Sequence, residues 1–208
     1  MTRPATDAKD RILQAARGVF ARKGFDGARV EEIARAAGVN KALIYYYFAG
    51  KRAILDELIG GLVRETTRAL LDFARGSGPV DQPQAEEPMQ RYYRLFEENR
   101  DLLKVMLIES VKEERDTPIF RLIDIQPEEE VDEQQVIRDL QARGFTLDAD
   151  REQRMVTEFF TGIVPEVCFL VFREKWSRRF GIPEPRLNEL FRRAIQETHD
   201  THHVGGRG

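Results

Sequence analysis

Apolar residues recur every three to four positions along most of the chain, the spacing of helices that bury one face. Ile12, Ala15, Ala16, Val19 and Phe20 mark a first helix. Gly24 closes it, with Arg22 and Lys23 in the last turn, where cations meet the negative end of the helix dipole. Val30, Ile33, Ala34 and Ala37 predict a short second helix stopped at Gly38. Asn40 predicts a capped third helix from Lys41 to about Phe48, because its side chain can accept from the open amides of a first turn. Ala49 and Gly50 interrupt the pattern, and a long helix runs on from Lys51 to Arg75. The Gly- and Pro-rich stretch Gly76 to Pro88 reads as a loop. Further helices are predicted near 87–99, 101–115, 117–143, 149–178 and 184–199. Pro127 splits the third of these and Pro165 kinks the fourth. Gly144 and Gly181 read as helix ends, and the chain from His199, residues 201–208 above all, reads as a disordered tail. Strand-like alternation is absent, so the fold class is all-α with about nine helices.

Composition narrows the picture. Hydrophobic residues make up 41% of the 208 positions and charged residues 33%, enough for a sizeable core under solvated helix faces. The longest apolar runs, such as Val167 to Phe172, are too short to span a membrane. The first ten residues hold no apolar signal region, and the lone Cys168 excludes an internal disulfide, so a reducing cytoplasm is expected. The net charge of −3 hides an asymmetry. Residues 1–60 carry 11 Lys/Arg against 7 Asp/Glu, a net of +4, which leaves −7 for the rest. A locally basic surface attracts a phosphate backbone whatever the total charge.

Three short helices, the last two joined by a Gly-containing turn, fit a helix-turn-helix. On a helical wheel Ile44, Tyr47 and Phe48 face the other two helices, while Ala42, Leu43, Tyr45 and Tyr46 face outward. An outward face this apolar and aromatic suits contact with a partner. In a DNA major groove, Ala42 and Leu43 could meet thymine methyl groups and the tyrosine hydroxyls could reach phosphates or base edges.

Gly24-Phe25, Val30-Glu-Glu-Ile-Ala-Arg-Ala-Ala-Gly-Val39, Asn40-Lys-Ala-Leu-Ile-Tyr-Tyr-Tyr-Phe48 and Lys51 together resemble the N-terminal signature of TetR-type repressors. The resemblance covers roughly residues 9–58 and implies roles position by position. Lys41 and Tyr45 would bind phosphate, Ala42 and Leu43 would face base edges, and Tyr46 would reach a base or a phosphate. Lys51 would add the start of the fourth helix as a phosphate site, and Arg29 would reach the opposite wall of the groove. Two departures stand out: Ala28 and Arg29 occupy the start of helix two, where the family has Thr or Ser, and Leu43 replaces a small polar residue.

The resemblance also implies a division into a DNA-binding domain over 1–50 and a helical ligand-binding and dimerisation domain over 51–200. Candidate ligand contacts are Tyr92, Tyr93, Phe96, Met106, Met155, Phe159, Phe160 and Cys168, with Glu109 or Glu158 as a polar handle. Candidate dimer contacts are Phe169, Val171, Phe172, Trp176, Leu187, Leu190, Phe191, Ala194 and Ile195. Expected partners are a palindromic double-stranded DNA operator, a small-molecule effector and a second copy of the chain, with no membrane. No cofactor, metal site or catalytic constellation is expected, and His199, His202 and His203 do not make a metal cluster. The chain is thus expected to be a regulator and not an enzyme. A ligand-binding module with lapsed DNA binding, or an activator, are the competing readings.

Overall fold

A computed structural model of the chain describes residues 5–76, 88–112, 117–123, 133–147 and 150–199. Pro127, the interior of the predicted 76–88 loop, and the tail with His202 and His203 lie outside these. Among the described residues every regular element of any length is a helix. α1 (Ala5–Gly27) is broken at Gly24, whose φ of 68° is open to glycine at no steric cost, so the helix proper ends where the sequence predicts and one further turn is added. α2 (Val30–Ala37) stops at Gly38, left-handed at φ 65°. α3 (Lys41–Tyr47) begins at Asn40, whose Oδ1 accepts from the Leu43 amide at 2.8 Å.

α4 (Lys51–Ala74), α5 (Pro88–Glu98) and α6 (Arg100–Lys112) come next. Between the last two, Asn99 is buried and its Nδ2 donates to the Leu95 carbonyl at 2.7 Å. The span 117–143, which Pro127 is expected to split, holds a 3-10 turn (Pro118–Leu122) and α7 (Glu133–Ala142).

α8 (Arg151–Thr157), a π-helical segment (Glu158–Ile163) and α9 (Val164–Phe180) form one continuous run of 30 residues. Pro165 has no amide to give to the turn before it, and the helix widens there. The Thr161 hydroxyl donates to the Thr157 carbonyl at 2.6 Å inside the widened turn. The run is apolar and long enough to cross a bilayer by length and composition. No uninterrupted apolar stretch marks it in the sequence, because Glu158 and Glu166 punctuate the run. α10 (Glu184–Thr198) closes the described chain, and His199 is its ordered cap, not the start of a disordered tail.

The chain divides into two compact units. The first comprises residues 1–64 and 101–119, so it includes most of α4 and all but the first residue of α6 as well as the three short helices. Its core contains Ile12, Phe20, Ile33, Ile44, Phe48, Ile54, Leu55, Leu103 and Met106. The apolar faces of α4 and α6 complete this core, which is why it does not end at residue 50. The second unit comprises residues 65–100 and 120–208, with Phe96, Val167 and Leu170 buried in it.

Candidate functional site

In the first unit α1 packs on α2 and α2 on α3. The buried side of α3 is Ile44, with Phe48 at its end, and Tyr47 is half-buried. Its outer side carries Ala42, Tyr45 at 50% exposure and Tyr46 at 77%. Leu43 is half-buried, at the margin of that face. The Tyr46 ring is held edge-on against Tyr47, with centroids 4.9 Å apart.

Lys41 pairs with Glu31 at the start of α2, and its ammonium lies 5.7 Å from the Tyr45 ring centroid. The hydrogen bond from Lys41 holds the Glu31 carboxyl below its ordinary range, and the same bond raises Lys41. Both side chains are exposed, so the pair adds little stability and can exchange for a stronger anion. Arg29 is the N-cap of α2 with no side-chain capping bond, and it is exposed.

Lys51 is used differently. Its ammonium donates to the carbonyls of Phe25 at 2.8 Å, Asp26 at 3.2 Å and Ala28 at 3.3 Å, and lies 4.5 Å from the Phe25 ring centroid. An ammonium has three N–H groups, and here all three serve the turn between α1 and α2. Outward, Lys51 presents the amino end of α4. On its other side the turn is held by Asp26, which accepts from Lys112 of α6 at 2.6 Å; Lys112 also donates to the buried Glu109 at 2.9 Å. Glu109 is therefore a partner in an ion pair of the first unit, not a ligand handle.

The second unit encloses a cavity of about 430 Å³. Its wall comprises Thr66, Thr67, Leu70 and Phe73 of α4, Met89, Tyr92 and Tyr93 of α5, Leu122 and Ile123, Leu140, Phe145 and Leu147, Glu158, Gly162, Ile163 and Glu166 of the long run, and Ile195 and His199. Of the eight predicted ligand contacts only Tyr92 and Tyr93 line it. Phe96 is buried behind Tyr92, with ring centroids 4.8 Å apart. Met106 belongs to the core of the first unit. Phe159 packs on Phe120 at 5.2 Å, and Met155 and Phe160 are exposed. Cys168 is half-buried, and burial pushes its thiol up, which keeps it protonated and unreactive. Glu158, the other predicted handle, does line the wall.

His199, expected in the tail, forms part of this wall. Its Nδ1 lies 2.8 Å from the Thr161 hydroxyl and its Nε2 3.6 Å from Glu158. A Cβ on Gly162 would come within 2.9 Å of the ring, so only glycine lets it approach this closely. Burial raises the Tyr92 phenol far above its ordinary range. Burial, aided by the Glu97 charge and opposed by Arg192 and Arg173, pushes the Glu166 carboxyl up to about 7. Among the described residues, no group of three or more His, Cys, Asp or Glu could hold a metal ion.

Of the predicted dimer contacts, Phe172 and Trp176 are exposed on α9, and Phe180 continues the stripe four residues on. Phe169 is instead stacked on Phe191 of α10, with ring planes 2° apart, and Ile195 belongs to the cavity wall. Leu187 and Leu190 are half-buried, as is Val171, and Ala194 is exposed.

Residues 12–58 match the family model described as bacterial regulatory proteins, tetR family. YttP of Bacillus subtilis (strain 168), described as a probable helix-turn-helix-type transcriptional regulator, is 47% identical over 51 residues, 24% of this chain and 25% of that protein. The helix-turn-helix-type transcriptional repressor NicS of Pseudomonas putida (strain KT2440) is 35% identical over 74 residues, 34% of this chain and 35% of NicS. The matches span from a quarter to about half the length of the first curated relatives. The likeness of fold extends further. The crystal structure of a TetR family transcription regulator from Marinobacter aquaeolei VT8 superposes over 96% of this chain and 97% of that one, with a TM-score of 0.58 at 16% identity.

Proposed function

The chain belongs to the TetR family of transcriptional regulators, and from that premise we propose that it is a homodimeric repressor. A small, largely apolar ligand entering the cavity of the second unit releases it from a palindromic operator. The observation that carries the DNA reading is the outer face of α3, an Asn40-capped helix with Tyr45 and Tyr46 held out to solvent. In the major groove Ala42 and Leu43 meet thymine methyls, Tyr45 and Tyr46 reach phosphate or base edges, and Arg29 binds the backbone from the flank. Lys41 exchanges Glu31 for a phosphate oxygen. Lys51 contributes through the amides at the start of α4 while its side chain holds the α1–α2 turn.

Two such heads related by a two-fold axis read half-sites about 34–36 Å apart. The exposed stripe Phe172, Trp176 and Phe180 supplies the surface for pairing, and the chain works in the cytoplasm beside its operator. α4 supports the link to ligand: its first residues belong to the DNA-binding unit and its last line the cavity. A ligand that fits one arrangement of α4 better than another shifts operator affinity, and DNA shifts ligand affinity by the same factor. The test is an electrophoretic shift with fragments of the source genome. Sequence-selective binding by the dimer that weakens steeply with salt is the expected result. Absence of any selective complex overturns the reading.

A further inference from the structure

The charged side chains in the wall of the second unit's cavity are acidic. Two carboxylates, Glu158 and Glu166, line it, and among the described residues no Lys or Arg does. The two acids differ. Glu158 already faces the His199 ring at 3.6 Å, and that ring is fixed in turn by Thr161. Glu166 makes no hydrogen bond or ion pair among the described residues, although it lines a cavity whose remaining wall is mainly aliphatic and aromatic. Glu166 is half-buried, so its carboxylate is incompletely solvated, and a cation is the occupant that best restores the loss. The Tyr93 ring in the same wall offers a face that attracts a cation and repels an anion, while the Phe73 ring already carries the Arg143 guanidinium at 4.4 Å. A ligand carrying its own carboxylate would meet two acids in the wall, whose charge Arg173 and Arg192 near Glu166 offset only in part.

Resting on the reading of this cavity as the effector site, we propose that the effector is a hydrophobic monoamine, bound with its ammonium on Glu166 and its apolar body against the Leu70–Phe145 side of the cavity. Binding exchanges a proton: an ammonium docking on the neutral acid drives the Glu166 proton to solvent, and the N–H···O bond takes its place. The groups facing Glu166 are Tyr92 and Glu97 of α5, Arg173 of α9 and Arg192 of α10, with Glu158 and His199 across the wall. Of these, Glu97 and burial favour the protonated acid and the two arginines favour the carboxylate.

The experiment titrates the full-length protein by calorimetry with three probes that share one body: 4-phenylbutylamine, 4-phenylbutanol and 4-phenylbutyrate. The amine is expected to bind at least about tenfold tighter than the alcohol, with the acid weakest. Its heat should depend on buffer ionisation at pH 6.5, which reports the released proton. Glu166→Gln should bring the amine down to the affinity of the alcohol and leave the alcohol unchanged, at an unchanged melting profile at pH 5. Alcohol or acid binding as tightly as the amine, or an amine preference that survives Glu166→Gln, overturns the cation site and leaves the cavity as an effector site. If none of the three probes binds, both readings fall.

Discussion

The Lys51 ammonium donates to the Phe25 carbonyl at 2.8 Å and lies 4.5 Å from the centre of the same residue's ring. It thereby gives a charged donor to carbonyls at the end of α1, where the helix stops and its last carbonyls lack i+4 amides. Lys51→Met keeps the apolar stem and removes only the donors. We expect it to destabilise the protein by roughly 2 kcal/mol, since carbonyls at a partly buried turn lose a charged donor. Urea unfolding monitored by circular dichroism measures this. An unchanged midpoint, together with a shallower salt dependence of DNA binding, would instead return the ammonium to the phosphate backbone.

Lys41 and Glu31 make opposite predictions within one pair. Glu31 competes with phosphate for the same ammonium, and its lowered acidity range keeps it ionised throughout neutral pH. Lys41→Gln should weaken DNA binding across all sequences and flatten the salt slope by about one ion. Glu31→Gln should tighten binding, because Lys41 no longer has to leave a partner. Filter binding or fluorescence anisotropy from low to moderate salt reads both. A weaker Glu31→Gln complex would show that Glu31 positions Lys41 for DNA.

Trp176 and Phe180 lie against each other on the outside of α9, ring centroids 4.6 Å apart, each at least half exposed. Phe172 stands one turn earlier. Trp176→Glu places a charge in the middle of this stripe, where it must be desolvated on pairing. The expected outcome is a folded monomer by sedimentation velocity, with DNA affinity lost in step with dimerisation. A variant that sediments as a dimer would move the interface elsewhere.

The helices of the head were legible because their limits are written in residues with one dominant use. Gly24 and Gly38 take positive φ, and Asn40 offers a capping oxygen. The inward and outward sides of α3 came from the helical period alone. The cavity was legible only at Tyr92, Tyr93 and Glu158. Its wall is assembled from segments far apart in the chain, and single aromatic or sulfur-bearing residues such as Met106 and Phe159 carry no mark separating core from lining. The widened turn before Pro165 rotates the residues of α9 relative to those of α8, so a wheel drawn straight through that helix misassigns faces. Lys51 resembles a phosphate ligand in sequence because its carbonyl partners lie 23 to 26 residues away.

Gly162 and His199 give a test of the cavity wall that needs no ligand. A methyl group on Gly162 would overlap the imidazole, so Gly162→Ala must push the ring off Thr161 and Glu158. We expect a cost of about 1–3 kcal/mol, typical of overpacking. In a His199→Ala background the same change should cost far less, because the overlapping group is gone. A double-mutant cycle by denaturant unfolding measures the coupling. Additive effects would show that the ring does not occupy this position in solution.

Glu166 ties stability to pH. Its carboxyl is pushed up to about 7 in the folded chain from an ordinary value of 4.5. Between these values the folded state holds the proton more tightly than the unfolded state. Stability from this group is therefore fully present below about 4.5, and it is lost as pH rises towards 7 and above. At pH 8 the folded chain carries a poorly solvated carboxylate. Glu166→Gln should accordingly be near neutral at pH 5 and stabilising at pH 8, by on the order of 2 kcal/mol after allowance for partial exposure to solvent. Melting curves of both proteins at the two pH values decide it. A wild-type chain whose stability relative to Glu166→Gln rises with pH would mean that the carboxylate has a cationic partner even without ligand.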